Sequence, residues 1–184
     1  RIGFGIVDDA VVQEASKPEV IRRYMRYQCL YAEGATDLDS LNRAKMLMDS
    51  LGLKTEDRLV ALAARGAAES ARQQGKGKEG GRIVSAAAIQ LKSGEIVTGR
   101  NSDELHACSA VILNAIKKLA GIPDRLPLLA PSILQSVAHM KHDILKGGYT
   151  SLNLDEALIA LAISATTNPA AQLAMEKLTD LATC

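Results

Sequence analysis

The side chains best suited to bind a metal ion or to act as nucleophiles are few, because the chain of 184 residues holds only 3 histidines and 3 cysteines. His139 and His142 stand three residues apart with Asp143 beside them, so a helix could present them on one face as metal ligands. The His-Glu-x-x-His spacing of zinc proteases is absent, and so is the Gly-x-Ser-x-Gly turn that exposes a catalytic serine. A solvated helix face therefore explains this pair better, and we predict no catalytic residue.

Two polar loops offer a different chemistry, the binding of an anion or a polar ligand. The first, Thr-Gly-Arg-Asn-Ser at 98–102, joins a predicted strand to a predicted helix, where backbone N–H groups and an arginine can hold an anion. The second, Ser-Ala-Thr-Thr-Asn-Pro at 164–169, interrupts two apolar helices, and its small polar residues also favour helix caps. The candidate ligand-binding residues are Arg100, Asn101, Thr166, Thr167 and Asn168.

The elements that must carry these loops begin with three helices. The spacing of apolar residues predicts helices at about 18–34, 38–51 and 55–74. The following Gly-Lys-Gly-Lys-Glu-Gly-Gly segment lacks the spacing of a phosphate loop, and no strand precedes it, so we interpret it as a flexible joint. We therefore predict a helical subdomain at 1–78 and a second subdomain at 79–184.

The periodicity of the second subdomain alternates between strands and helices. Predicted strands at 83–91 and 96–99 flank a hairpin turn, and a third lies among prolines at 125–130. The predicted helices span about 103–120, 132–145 and 154–165, with a last one ending near 181. This order predicts an α/β (α+β) fold in which the second subdomain is a three-layer α/β arrangement.

The order strand, strand, helix, strand, helix resembles the zinc-dependent cytidine deaminase fold, whose metal site can be compared with the sequence. Those enzymes bind zinc through a His or Cys two residues before a catalytic Glu, and through both thiolates of Pro-Cys-x-x-Cys. Here the corresponding segments are His-Ala-Cys at 106–108 and Pro-Ser-Ile-Leu-Gln at 131–135. Too few ligands remain for a catalytic zinc, which needs about three. We predict no metal and no other cofactor, and we interpret His106 as a helix-start residue and Cys108 as a small buried side chain.

Composition argues against several classes of partner. Aromatic residues make up 3% of the chain, too few for platforms on which nucleic-acid bases stack, and a net charge of +1 attracts neither nucleic acid nor anionic lipid. The longest apolar run, 157–163, is far shorter than the roughly 18 residues of a membrane span. Dispersed cysteines in odd number suit a reducing compartment. We expect a cytoplasmic protein with neither a nucleic-acid nor a membrane partner.

Several stretches carry a recognisable pattern: parts of 6–24, Gly-Glu-Ile-Val-Thr-Gly at 94–99, residues 113–124 and, most specifically, Ile-Ser-Ala-Thr-Thr-Asn-Pro-Ala-Ala-Gln-Leu-Ala-Met-Glu at 163–176. They resemble the bacterial family known as domain of unknown function 1846, and the chain looks like the C-terminal part of a member. The resemblance implies a longer protein whose N-terminal part carries a Gly-rich, Lys-ending segment of phosphate-loop character. It also implies a deaminase-like second subdomain that lacks its last strand here, and it assigns no activity.

Two functional hypotheses follow. We favour a binding or scaffold portion of a larger cytosolic protein whose nucleotide- or phosphate-binding site lies mainly in the N-terminal part, because Ser132 and Gln135 replace the zinc ligands. The alternative is an enzyme domain on a deaminase-like scaffold, with a ligand crevice formed by the two polar loops. The helix at 154–165, rich in Ala and Leu, is expected to dock onto the N-terminal part of the same protein or onto a second copy in a homo-oligomer.

Overall fold

The structure is a computed structural model that describes residues 9–182. Its helices and strands are, in chain order, α1 (Asp9–Ala32), α2 (Leu38–Ser50), α3 (Leu59–Gln73), β1 (Ala86–Gln90), β2 (Ile96–Arg100), α4 (Ala107–Leu119), α5 (Pro131–His139), α6 (Leu154–Ala165) and α7 (Pro169–Glu176). A π-helical turn, Met140–Ile144, continues α5. Over these residues no helix is long and apolar enough to cross a membrane. Residues 6–8 of the first family-like stretch lie outside the described residues.

The first helix begins earlier than its sequence pattern predicts. We expected it at about 18–34 with Pro18 in the first turn, whereas α1 starts at Asp9 and runs through Pro18. A proline inside a helix leaves the carbonyl group four residues before it without its usual donor. That carbonyl belongs to Glu14, which is exposed. Water can therefore hydrogen-bond to it, and the helix continues through the proline.

The chain forms two compact units. Residues 1–61 make the first unit and residues 62–184 the second, so the division falls near the start of α3. The sequence instead places a domain boundary in the Gly-rich joint, between 78 and 79. That boundary stays a prediction, because a flexible joint and a change in packing need not coincide.

The first unit is built around a small core. Helices α1 and α2 pack together, and the buried side chains of Ile21, Met48 and Leu53 form the cluster between them and the following turn. Asp37 starts α2, because its Oδ1 accepts the backbone N–H of Ser40 at 2.6 Å. That hydrogen bond holds the pKa of Asp37 below its ordinary value. Local hydrogen bonding thus starts α2, and a few apolar contacts hold it against α1.

A β-hairpin begins the sheet of the second unit. Strands β1 and β2 pair antiparallel, with Ala88 opposite Thr98, around a turn in which Gly94 has a φ of +85°. Helix α4 lies so close to β2 that a Cβ atom at Gly99 would stand 2.1 Å from the backbone nitrogen of Val111. Gly99 is therefore required by the contact between strand and helix.

The largest core of the second unit lies where α4, α6 and α7 meet. Ile116 and Leu161 are both 0% exposed, and Leu152 is 1% exposed. Small side chains at the same place let the helices approach closely. These are Ala157, Ala160, Ala171 and Ala174.

The third predicted strand does not form. Residues 125–130 are turns and irregular chain, so the sheet of the described residues has two strands. The three-layer, deaminase-like arrangement stays a prediction. Pro127 removes a backbone donor from the middle of the segment. Leu128 and Leu129 are both buried, whereas consecutive residues of a half-buried strand point to opposite faces. The prediction of a strand here was wrong, and the described fold is α+β.

Candidate functional site

The first polar loop, after β2, places its two candidate ligand residues differently. Arg100 is exposed and directs its Nη1 to the backbone carbonyl of Asn101 at 3.4 Å. Asn101 is only 2% exposed. Its Nδ2 donates to the carbonyl of Ile83 at 2.9 Å, and its Oδ1 accepts the N–H of Ser85 at 3.0 Å. Asn101 therefore ties the end of β2 to the segment before β1, while Arg100 faces solvent.

The second polar loop, between α6 and α7, has the geometry of a helix cap. Thr166 Oγ1 donates to the carbonyl of Ile163 at 2.7 Å, and Thr167 is exposed. Asn168 starts α7, since its Oδ1 accepts the N–H of Ala170 at 3.0 Å. Its Nδ2 donates to the carbonyl of Pro127 at 3.1 Å. The polar atoms of Asn168 thus hold the loop together, and its ligand-binding role stays a prediction.

The first loop borders a cleft of the second unit, and Pro127, the hydrogen-bond partner of Asn168, lines a neighbouring one. Thr98, Arg100 and Asn114 line a cleft of about 350 Å³ together with residues of α3. A smaller, mostly apolar cleft of about 200 Å³ extends from Asn114 to Pro127. Asn114 separates the two, and its Nδ2 donates to the carbonyl of Thr98 at 2.9 Å. Among the described residues no hydrogen bond joins the two loops, and the cleft beside Arg100 contains no residue of the second loop. That the five residues form one ligand site stays a prediction.

The residues at positions that correspond to the first zinc-binding motif of deaminases, His106 and Cys108, differ in burial. His106 is half-buried at the start of α4, and its backbone N–H donates to the carbonyl of Leu152 at 3.0 Å. Cys108 is exposed, so the prediction that it is buried was wrong. It lies in the first turn of α4, before the segment Ser109–Val111 that packs inward. Within residues 9–182 no three His, Cys, Asp or Glu side chains group as metal ligands would.

The two histidines of the other candidate metal face share one carboxylate. His139 Nδ1 and His142 Nδ1 lie 2.6 and 2.7 Å from oxygen atoms of Asp143. All three side chains are exposed to solvent. The hydrogen bond from His142, followed by that from His139, lowers the pKa of Asp143. The geometry is that of a solvated helix face, the interpretation favoured from the sequence.

A polar network beside α4 was not predicted. Lys141 Nζ donates to Glu156 Oε2 and to the carbonyl of Ser151, both at 2.8 Å. The same carboxylate oxygen accepts the N–H of Asn153 at 2.8 Å, and the side chains of Lys141 and Glu156 are only 18% and 29% exposed. Burial raises the pKa of Glu156, but the hydrogen bonds from Lys141 and Asn153 outweigh it, so the pKa lies below its ordinary value. The network fastens the turn after α5 to the start of α6.

The charges of this network affect the pKa of His106. Burial lowers the pKa of His106, and the positive charges of Lys78 and Lys141 lower it further, against the opposing effect of Glu156. The ammonium group of Lys78 stands 5.4 Å from the ring centroid of Tyr149. Burial and the two lysines thus favour the neutral form of the His106 imidazole by lowering its pKa.

Comparison with known proteins relates the chain to an uncharacterised family. The family model described as Domain of unknown function DUF1846, C-terminal, matches residues 56–184, and its N-terminal counterpart matches residues 1–52. The chain belongs to the DUF1846 family. The expectation that it holds only the C-terminal part of such a protein was wrong, because residues 1–52 match the N-terminal DUF1846 model.

Relatives of this DUF1846 chain are longer bacterial proteins. A UPF0371 protein from Clostridium tetani is 43% identical over all 184 residues, which cover 36% of that protein. A UPF0371 protein from Fusobacterium nucleatum is 44% identical over 182 residues, 98% of this chain and 36% of the relative. One from Clostridium botulinum, strain Langeland, is 44% identical over 184 residues, with the same 36% coverage. The chain thus spans about a third of the length of the curated relatives it matches.

The network residues of this DUF1846 chain could be found only in part from its sequence. Asn153 and Glu156 have the spacing of a capping box, and both reciprocal hydrogen bonds form. Lys141 carries no comparable signal, because its partners lie 10 and 15 residues further along the chain. No periodicity relates residues so placed, and only the packing of the turn after α5 brings them together.

Proposed function

We propose that this chain is a binding and scaffold portion of a larger, cytoplasmic DUF1846 protein, and that the remaining part docks on the outward face of α6. The observation that carries the proposal is an exposed apolar face, which we call the α6 face: Ile159 and Ile163, one turn apart, and Leu173 of α7. Their exposed fractions are 61%, 51% and 45%. Exposed aliphatic side chains at this spacing are typical of a docking surface.

The energetics of α6 support an occupant from the same protein. The opposite side of the helix already fills the core with Ala157, Ala160 and Leu161, so α6 is apolar on both sides. A helix apolar all round is buried in a complete protein. Covering one isoleucine contributes about 1.5–3 kcal/mol when burial is full. The relatives are nearly three times as long as this chain, and the additional length can supply the covering surface.

Docking is tested by charge introduced on the α6 face of the complete protein. We expect Ile159→Glu with Ile163→Glu to lower the thermal midpoint by several degrees, because each buried carboxylate would lose hydration. The matched control, Ile144→Glu with Leu145→Glu, alters side chains that are 64% and 67% exposed elsewhere in the second unit, and should change it little. If both pairs of substitutions lowered the thermal midpoint equally, the proposal would be contradicted. A wild-type dimer in light scattering that only the first pair dissociates would identify a second copy as the occupant instead.

The nucleotide- or phosphate-binding site is proposed to lie mainly in the part of the protein outside this chain. Support comes from Asn101 and Asn168, whose side-chain polar atoms are engaged in hydrogen bonds within the chain. The proposed boundary at 78/79 can be tested separately by limited proteolysis of the complete protein, which should cut first in the Gly-rich joint.

A second candidate function, an enzyme region with its own ligand, is supported by the cleft at Arg100. This guanidinium group is exposed and lines a cleft of about 350 Å³ with Thr98 and Asn114. If a ligand of the complete protein binds here, Arg100→Ala should weaken binding about tenfold or more, the loss typical of a charged hydrogen bond. Arg82→Ala is the control, because that exposed arginine forms an ion pair with Glu79. Equal affinity of both variants would exclude Arg100 from the site.

The deaminase-like arrangement also stays a proposal. The β-hairpin followed by a helix packed closely on it, at Gly99 and Val111, supports it. The lack of a strand at 125–130 weighs against it. An experimental structure of the complete protein would test it, since a third strand beside the hairpin is expected only for the deaminase-like arrangement.

A further inference from the structure

A groove with an unusual concentration of arginines runs along the first unit. Two adjacent clefts, of about 390 and 260 Å³, share Arg23 and Tyr27. One follows the face of α1, and the other continues between α1 and α2. We call this surface the arginine groove and define it by its polar lining: Glu19, Arg22, Arg23, Arg26, Tyr27 and Arg43.

The charges of the arginine groove are poorly balanced. Its single acid, Glu19, accepts two hydrogen bonds from Arg22, from Nε and Nη2, each at 2.7 Å. This bonding lowers the pKa of Glu19, and so do the positive charges of Arg22, Arg23 and Arg58. In the described part of the chain Arg23 and Arg26 make neither a side-chain hydrogen bond nor an ion pair, and Arg43 donates only to the hydroxyl of Ser40. Among residues 9–182 these three guanidinium groups therefore form no ion pair, although the charges of Arg23 and Arg43 act at longer range on Glu19 and Asp37.

Folding does not account for this concentration. Arg22 and Arg26 stand four residues apart on α1, a spacing at which like charges repel. Acidic and basic residues are nearly balanced over residues 1–61, so an even distribution was open to the sequence. The core of the unit, at Ile21, Met48 and Leu53, contains none of the arginines. An anionic ligand would relieve the repulsion and explain why the arginines are together.

We propose that the arginine groove binds a small ligand through a phosphate or diphosphate group. A guanidinium group presents a planar fork of N–H donors that matches the oxygen atoms of a phosphate. Arg23 and Arg26 on one helix and Arg43 on the other supply three such forks to one groove. Tyr27, half-buried between the two clefts, adds a ring and a hydroxyl group to the middle of the site. The site belongs to the first unit, is separate from the α6 face, and is additional to the nucleotide- or phosphate-binding site proposed for the rest of the protein.

The probe is inorganic pyrophosphate, titrated calorimetrically into the complete protein at low salt. We expect Arg23→Ala with Arg26→Ala to weaken binding at least tenfold. The matched control, Arg72→Ala with Arg82→Ala, removes the same charge from exposed arginines that pair with Glu69 and Glu79. It should change affinity less than twofold, because distant exposed charges are screened.

A variant of opposite sign makes the test independent of any loss of folding. Glu19→Gln frees Arg22 and removes the acid, so it should tighten pyrophosphate binding a few-fold. Equal weakening by both arginine pairs, or no tightening by Glu19→Gln, would overturn the proposal. Citrate bound as tightly as pyrophosphate would overturn its phosphate specificity. A pyrophosphate site in the rest of the protein would be unchanged by Arg23→Ala with Arg26→Ala, so the groove is identified as the site that this pair weakens. The titrations also do not depend on whether the α6 face is covered, so failure here is distinguishable from failure of the proposed function.

Discussion

The two units of this chain use helices in different ways. In the first, three buried side chains, Ile21, Met48 and Leu53, form the core cluster, and α1 presents a row of arginines to solvent. In the second, ten buried residues from α4, α6, α7 and the segments between them form one cluster. A small core leaves most side chains free for recognition, whereas a large one fixes helix positions. The difference teaches that two units of one chain can combine helices around cores of very different size, which fits the separate binding and docking roles that we propose for them.

The largest loss of folding free energy should come from a substitution in the core of the second unit. Leu161 is 0% exposed, and Leu161→Ala should destabilise that unit by about 4 kcal/mol, because it leaves a cavity among closely packed helices. Ile21→Ala in the first unit should cost about 2 kcal/mol, because a small cluster can relax around the missing atoms. Urea unfolding monitored by hydrogen exchange reports each unit of the complete protein. Equal losses of stability in the two units would contradict the difference in core packing between them.

A smaller effect is expected where the backbone of one element contacts another. Gly99→Ala would place a Cβ atom 2.1 Å from the backbone of Val111 and should cost about 3 kcal/mol, since α4 must move away from β2. In the first unit, the Cβ atom added by Gly34→Ala has no atom within 4 Å. This substitution should cost about 1 kcal/mol of stability, because alanine disfavours the left-handed φ of +72° at this position. The same unfolding measurement separates the two. A Gly34 variant as damaging as the Gly99 variant would contradict tight packing as the distinction.

The smallest loss of folding free energy should come from replacing carboxylates, and this loss should depend on pH. The pKa of Glu156 is lowered in the folded protein, so this group contributes stability above its ordinary value of 4.5, and the contribution is lost as the pH falls below it. Glu156→Gln keeps the cap on Asn153 but weakens the bond to Lys141, and should cost about 1–2 kcal/mol at pH 7.

The corresponding change in the first unit sharpens the contrast. Glu19 is exposed, and Glu19→Gln should leave stability unchanged within error, since exposed ion pairs contribute little. Thermal unfolding at pH 7 and pH 3 measures both variants. If Glu156→Gln were as harmless as Glu19→Gln at pH 7, the half-buried network would not differ from a surface pair.

Much of the local structure was predictable from the sequence. The hairpin around Gly94, the helix start at Asn153 and the break at Asn168 follow from turn chemistry, capping and proline placement. Their signals lie within a few residues along the chain. The start of α1 was not predictable in the same way, because a helix can continue through a proline such as Pro18 where the residue four positions earlier, here Glu14, is exposed.

The candidate site was predictable only as a set of residue types. The loops that hold Arg100 and Asn168 were found, yet the burial of Asn101 and the bond from Asn168 to Pro127 were not. The prediction that Cys108 is buried was also wrong. A small residue in the first turn of a helix can lie on the buried or on the exposed side, and its type does not distinguish them. Whether such a side chain is free for a ligand depends on neighbours far away in the sequence.

The sequence by itself determined where α2, α6 and α7 begin, where the hairpin turns and that the family is uncharacterised DUF1846, because these depend on short patterns. Only the tertiary structure decided that 125–130 is not a strand, that Lys141 reaches Glu156, and that arginines of α1 and α2 line one groove. Each of these depends on which distant segments lie side by side. Such proximity arises from packing the whole unit, and no local periodicity records it.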